Sequence, residues 1–174
     1  EHALVDPLHP GHARYVYQGE VVDMRGHPHP PLNAAWLGLI VSLTGSESEL
    51  PLHAAYIPFS IIAGLSALSI ARRYTCRPLM ATILFLVTPA FVVNGNSLES
   101  DLPFVAFWLA SVALFLSERW GLAALAGALA GLCAYQAVVL VPILGWMVWV
   151  ERKRSVPAVI AALAAPVTIL AWSV

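Results

Sequence analysis

Charge is the scarcest property of this 174-residue chain. Asp, Glu, Lys and Arg make up 11% of it, against roughly 25% in soluble globular domains. A water-soluble domain of this size needs more polar surface than that to stay dispersed. The formal net charge of −1 provides no basic stripe to track a phosphate backbone, so no nucleic-acid partner is expected. Cysteine is scarce too: Cys76 and Cys133 have no metal-ligand spacing and offer no disulfide framework. What is abundant is apolar. Hydrophobic residues are 59% of the chain, and the mean hydropathy is +0.77.

The apolar residues fall into uncharged runs at 31–46, 51–71, 78–98, 102–117, 120–150 and 155–174. A bilayer core needs about 20 helical residues, or about 17 at the low end. Runs this dense are rare in a soluble core, because the exposed face of each helix would carry charge. The expected fold class is therefore all-α: a polytopic transmembrane helical bundle with about six membrane segments. The chain opens at Glu1 rather than Met and closes inside an apolar run. A membrane helix is therefore expected upstream, and more downstream.

Positive charge sets the sidedness, since cytoplasmic loops collect Lys and Arg. All but Arg14 and Arg25 of the nine basic residues lie in three clusters: Arg72-Arg73 with Arg77, Arg119, and Arg152-Lys153-Arg154. Placing all three inside makes 51–71 cross inward, 79–93 outward and 102–116 inward. The long run 120–150 must then go out and back, as a hairpin with Tyr135-Gln136 at its outer tip. The helix at 32–44 is too short to cross and is expected at the outer interface, with Trp36 as anchor. Residues 1–31 form an extracytoplasmic loop, and 52–174 the transmembrane helices.

The outer side gathers the polar chemistry. Every histidine except His53 lies between His2 and His29, in the loop that also holds Glu1, Asp6, Glu20 and Asp23. Carboxylates serve as general bases or metal ligands, and imidazoles bind metals or stabilise phosphate. Asp6, His9 and His12 are the candidate ligands for a divalent metal ion, although no zinc-finger or HExxH pattern is present. A second polar stretch, Asn94 to Pro103, brings Glu99 and Asp101 to the same side. Asp101 could instead be only a helix N-cap with proline in the first turn, but acids at a membrane boundary are costly and often functional. Gln136, at the hairpin tip, could meet a lipid head group.

Three motifs together resemble a known family. His29-Pro-Pro-Leu32 before a short apolar helix is similar to the "HPPL" element of polytopic GT-C glycosyltransferases, in particular the protein O-mannosyltransferases and lipid A aminoarabinose transferases. Ile70-Ala-Arg-Arg73 resembles the family's basic helix end, and Thr88-Pro-Ala-Phe91 through Asn96 to Pro103 its second outer loop. The resemblance implies a membrane enzyme that moves a sugar from a polyprenyl-phosphate lipid to an acceptor at the extracytoplasmic face. It implies a multi-pass protein, expected in a bacterial inner membrane with the site facing the periplasm. The family's loop acids fall on Asp6 and Asp101, with Glu99 beside the latter, as candidate catalytic groups. Many members carry a lysine that meets the donor phosphate where this chain has Gln136. Arg14, Arg25, His27 or His29 would then have to supply the charge. The rival readings are a polytopic transporter or lipid-binding protein without catalysis, and a histidine-rich metal-handling loop on an inert anchor.

Overall fold

The computed structural model describes residues 6, 14–23, 30–95, 97–150 and 155–173. It opens with a feature that the all-α expectation lacks, a β-hairpin. Strands β1 (Arg14–Tyr17) and β2 (Glu20–Asp23) pair antiparallel, with Tyr17 opposite Glu20 and Arg14 opposite Asp23. Gln18 and Gly19 connect them, both at positive φ (51° and 88°). That two-residue turn matches the right-handed twist of paired strands, and glycine adopts it without steric cost.

All the other described elements are helical. α1 spans Leu32–Thr44, α2 Glu49–Ala54, α3 Ile57–Tyr74, α4 Pro78–Leu86, α5 Pro89–Gly95 and α6 Asp101–Leu116. α7 (Trp120–Cys133) is followed by a 3₁₀ turn (Tyr135–Val139), α8 (Leu140–Val150) and α9 (Val156–Ser173). α1 has the expected extent and stops where Gly45 enters the left-handed region at φ 64°, as helix ends commonly do. Prolines open α4 and α5, where the missing N–H is harmless.

Two stretches are long and apolar enough to cross a membrane, Glu49–Tyr74 and Val156–Ser173. The bent pair Pro78–Leu86 and Pro89–Gly95 would make a third. The remaining apolar helices are shorter, so the structure gives two or three spans by length where about six segments were expected. Residues 78–98 do not form one continuous crossing, because α4 and α5 meet at 58°.

The packing is that of a protein in lipid. On α9 the buried residues are Ala158, Ala161, Ala162 and Ala165, while Val159, Ile160, Val167 and Leu170 face outward. A soluble helix buries its large apolar side chains. A lipid-facing one can expose them and use small residues to bring backbones together. α9 runs parallel to α7 on this principle, with Gly127 at Ala161 and Ala164 and Gly131 at Ala165. The Ser111 hydroxyl, fully buried, donates to the Ala123 carbonyl at 2.9 Å and ties α6 to α7.

The run 120–150 does break after Cys133, at an extended Ala134. It is not a tight hairpin, however. α7 and α8 scarcely touch along their lengths, and each packs instead on α9. The reason is steric: the Gly/Ala face of α7 is already filled by the alanine face of α9.

Candidate active site

α3 and α6 lie side by side and parallel, start beside start and end beside end, and this sorts the polar residues to two ends. At one end Arg72 and Arg73 close α3, and an Arg73 guanidinium N–H donates to the Leu116 carbonyl at the end of α6, with Arg119 just beyond. At the other end α3 and α6 begin, close to α1, α5 and the turn at 97–100.

That second end is fastened by a polar knot. The Asn33 side-chain amide donates to the Leu98 carbonyl at 3.0 Å. The Tyr56 hydroxyl donates to Asn33 Oδ1 and lies 3.1 Å from the same Leu98 carbonyl. Tyr56 is 2% exposed, so each polar atom needs its partner. The knot holds α1, the start of α3 and the turn ahead of α6 in one arrangement. Aromatic rings back it: Phe59 packs edge-on against Trp36, Tyr56 and Phe107. The Trp36 indole N–H is buried with no partner among the described residues. The Trp36 ring is half-buried, with its N–H turned into the bundle.

The break between α4 and α5 is built by Thr88. Its hydroxyl donates to the Phe85 carbonyl at 2.8 Å and accepts the Phe91 N–H at 3.3 Å. One side chain closes the first helix and caps the second, while Pro89 prevents a straight continuation. Phe85 and Phe91 meet across the bend with ring centroids 4.9 Å apart.

Between the bend and the start of α6 lies a cleft of 130 Å³, lined by Phe85, Thr88, Phe91, Asn94, Asp101 and Leu102 among others. It is mostly apolar, with three polar side chains converging on it, the usual character of a small-molecule site. Asp101 is not the N-cap that its position allowed. Ser100 holds that place, and Asp101 is the first helical residue. Its exposed carboxylate has no ion-pair partner among the described residues.

Of the other residues singled out in the sequence, Glu99 is exposed on the same turn but outside the lining of the cleft. Asp6 is half-buried, engaged within the protein, and also outside that lining. Arg14 pairs with Asp23 at 3.2 Å on the hairpin. Gln136 is exposed in the 3₁₀ turn, next to Tyr135, which packs on Trp172. Arg25, His27, His29, His9 and His12 lie outside the described residues. Among the described residues no group of three His, Cys, Asp or Glu could hold a metal ion. Thr88 and Asn94 entered the sequence reading only as the first residues of motifs, with no role of their own; Asn33 and Tyr56 were not singled out, and their one signal is a hydrogen-bonding side chain inside an uncharged run.

Comparison with known families decides what this arrangement belongs to. A family model described as dolichyl-phosphate-mannose-protein mannosyltransferase matches residues 28–174. The chain belongs to that family. It is thus a multi-pass membrane protein and a GT-C glycosyltransferase of the mannosyltransferase type. No curated protein and no solved structure matches it. The mannosyltransferase match begins just before His29-Pro-Pro-Leu32 and takes in α1, the knot and the Asp101 cleft. The hairpin at 14–23 lies outside it.

Proposed function

We propose that the protein transfers a sugar from a polyprenyl-phosphate lipid to an acceptor hydroxyl at the extracytoplasmic face, with Asp101 as the base. The observation that carries the reading is the Asp101 carboxylate in a mostly apolar cleft, beside Thr88 and Asn94, at the end of α3 and α6 opposite to Arg72, Arg73 and Arg119. Basic ends stay inside under the positive-inside rule, which supports an outer position for the cleft. The six-segment topology, the inner-membrane location and the interfacial place of α1 belong to the same proposal.

In the reaction the acceptor oxygen bonds to the anomeric carbon as the bond from that carbon to the lipid-phosphate oxygen breaks. Asp101 takes the acceptor's proton, and the polyprenyl phosphate leaves with the bonding pair. Stabilising that leaving charge is the larger task. Arg14, Arg25, His27, His29 and Gln136 remain candidates for it, with Asp6 and Glu99 as further acids. A divalent ion would serve the same purpose, with Asp6, His9 and His12 as its proposed ligands. The described residues form no ligand set for one, and no step is routed through it.

The test is transfer by the membrane-embedded full chain supplied with polyprenyl-phosphate sugars. Asp101→Asn keeps the shape and removes the base, so kcat should fall by about 10²–10⁴-fold with the unfolding temperature unchanged. Unchanged transfer in that variant would remove Asp101 from the mechanism. No transfer by the wild type with any such donor would overturn the reading itself.

A further inference from the structure

Two further clefts lie along α5, and they run together. One, of 340 Å³, is lined by Leu50, His53, Tyr56, Ile57, Ser60 and Gly95. The other, of 630 Å³, is lined by Ser60, Leu86, Phe91, Val92, Val93 and Gly95. Ser60 and Gly95 are common to both, so they form one continuous groove between α3 and the bent α4–α5 pair. Phe91 and Gly95 also line the Asp101 cleft. α5 is therefore a partition, with the Asp101 carboxylate on one flank and the groove on the other.

The character of the groove changes along its length. At the α2 end it presents His53, the only titratable side chain between His29 and Arg72 other than Glu47, Glu49 and Tyr56. Toward the bend it presents Leu86, Phe91, Val92 and Val93 and no charge. Such a gradient fits an amphiphile with a polar head and a long apolar tail. A neutral or protonated imidazole has an N–H to donate, so a head group with acceptor oxygens is favoured. The groove volumes are in the range of sites that hold a small molecule.

We propose that this groove binds the lipid phosphate of the donor: His53 contacts a phosphate oxygen, the isoprenoid tail runs over Val92 and Leu86, and the sugar reaches past Gly95 toward Asp101. Gly95 suits that passage, because nothing stands within 4 Å of where a Cβ would be. The assignment rests on the transfer reading above and gives that reaction's leaving group a contact from the groove itself, whose lining includes neither Gln136 nor Arg14.

The experiment measures direct binding, apart from transfer. Sugar-free polyprenyl phosphate and its phosphate-free alcohol are titrated against the full chain in phosphatidylcholine nanodiscs. His53→Ala should weaken polyprenyl phosphate about tenfold and leave the alcohol unchanged, and His53→Lys should restore most of the loss. Val92→Trp, which fills the tail region, should weaken both ligands. Equal binding of polyprenyl phosphate to wild type and His53→Ala would overturn the proposal. So would equal competition by phosphatidate, which would assign the groove to bulk anionic lipid. Binding that depends on His53 in a protein that transfers no sugar would uphold the groove and count against the transfer reading alone.

Discussion

The hydroxyl of Tyr56 donates to the side-chain carbonyl of Asn33, a residue 23 positions earlier on another helix. Asn33 in turn donates to the Leu98 carbonyl, 65 positions later. Two side chains thus fix a main-chain turn that immediately precedes Glu99 and Asp101. Tyr56→Phe removes one oxygen and leaves the Asn33 carbonyl short of a donor in a buried place. It should cost about 1–3 kcal/mol, measured by thermal unfolding in detergent. Because the turn ahead of Asp101 loosens, transfer should fall too, with kcat affected more than the donor KM.

Gly131 should tolerate no side chain. A Cβ there would stand 2.8 Å from the Ala165 carbonyl oxygen, and backbone on backbone cannot yield as a side-chain tip can. Gly131→Ala should destabilise by about 1–3 kcal/mol. Gly145, inside α8 with nothing within 4 Å, is the internal control. There alanine should stabilise by about 0.5–1 kcal/mol, through helix propensity alone. Equal effects at the two positions would mean that α7 and α9 are not in contact at this register.

Arg14→Ala should leave stability within about 1 kcal/mol of wild type. Its partner Asp23 is 3.2 Å away, but the two side chains are 66% and 36% exposed. Water and salt screen such a pair. Unfolding curves at low and high ionic strength would reveal a larger contribution if there were one.

The two native cysteines report sidedness. Cys76 is exposed and Cys133 is buried. A membrane-impermeant maleimide should label Cys76 only from the side carrying Arg72, Arg73 and Arg77, and should not label Cys133 in the folded protein. In Glu99→Cys the new thiol should react only from the opposite side. Labelling of both positions from one side would refute the proposed sidedness.

Pro89→Ala tests the bend. Without the ring, α5 can continue α4, and the Asp101 cleft loses the wall formed by Phe91 and Asn94. Transfer should drop at least tenfold while the chain remains folded, a loss of about 1.4 kcal/mol in transition-state stabilisation.

Asp101, as an acid between two uncharged runs, was legible in the sequence, and so was α1, bounded by Pro30-Pro31 and Gly45. The small-residue faces of α7 and α9 could be read as packing surfaces from composition alone. The hairpin was missed although Tyr15-Val-Tyr and Glu20-Val-Val flank a Gln18-Gly19 turn; the surrounding histidines and prolines made the whole segment read as loop. The bend at Thr88-Pro89 was hidden because an uncharged run of spanning length reads as one helix unless its proline is given weight. The knot could not be read at all. Asn33 and Tyr56 are satisfied by a backbone carbonyl 65 and 42 residues away, and a carbonyl has no signature in a sequence. Likewise nothing along the chain marks Gly95 as the place where three clefts meet.

The bend has a consequence for substrate supply. α4 has nine residues and rises at most about 14 Å, half of a hydrocarbon layer of about 30 Å. Thr88 satisfies the interrupted main chain from within, so this half-height wall can stand against lipid. On the proposed topology the flank above it faces a single leaflet. The proposed lipid-linked donor would arrive there without entering water, and its concentration would be a surface density. Turnover should then follow the donor's mole fraction in that leaflet and stay constant when vesicles of fixed composition are diluted.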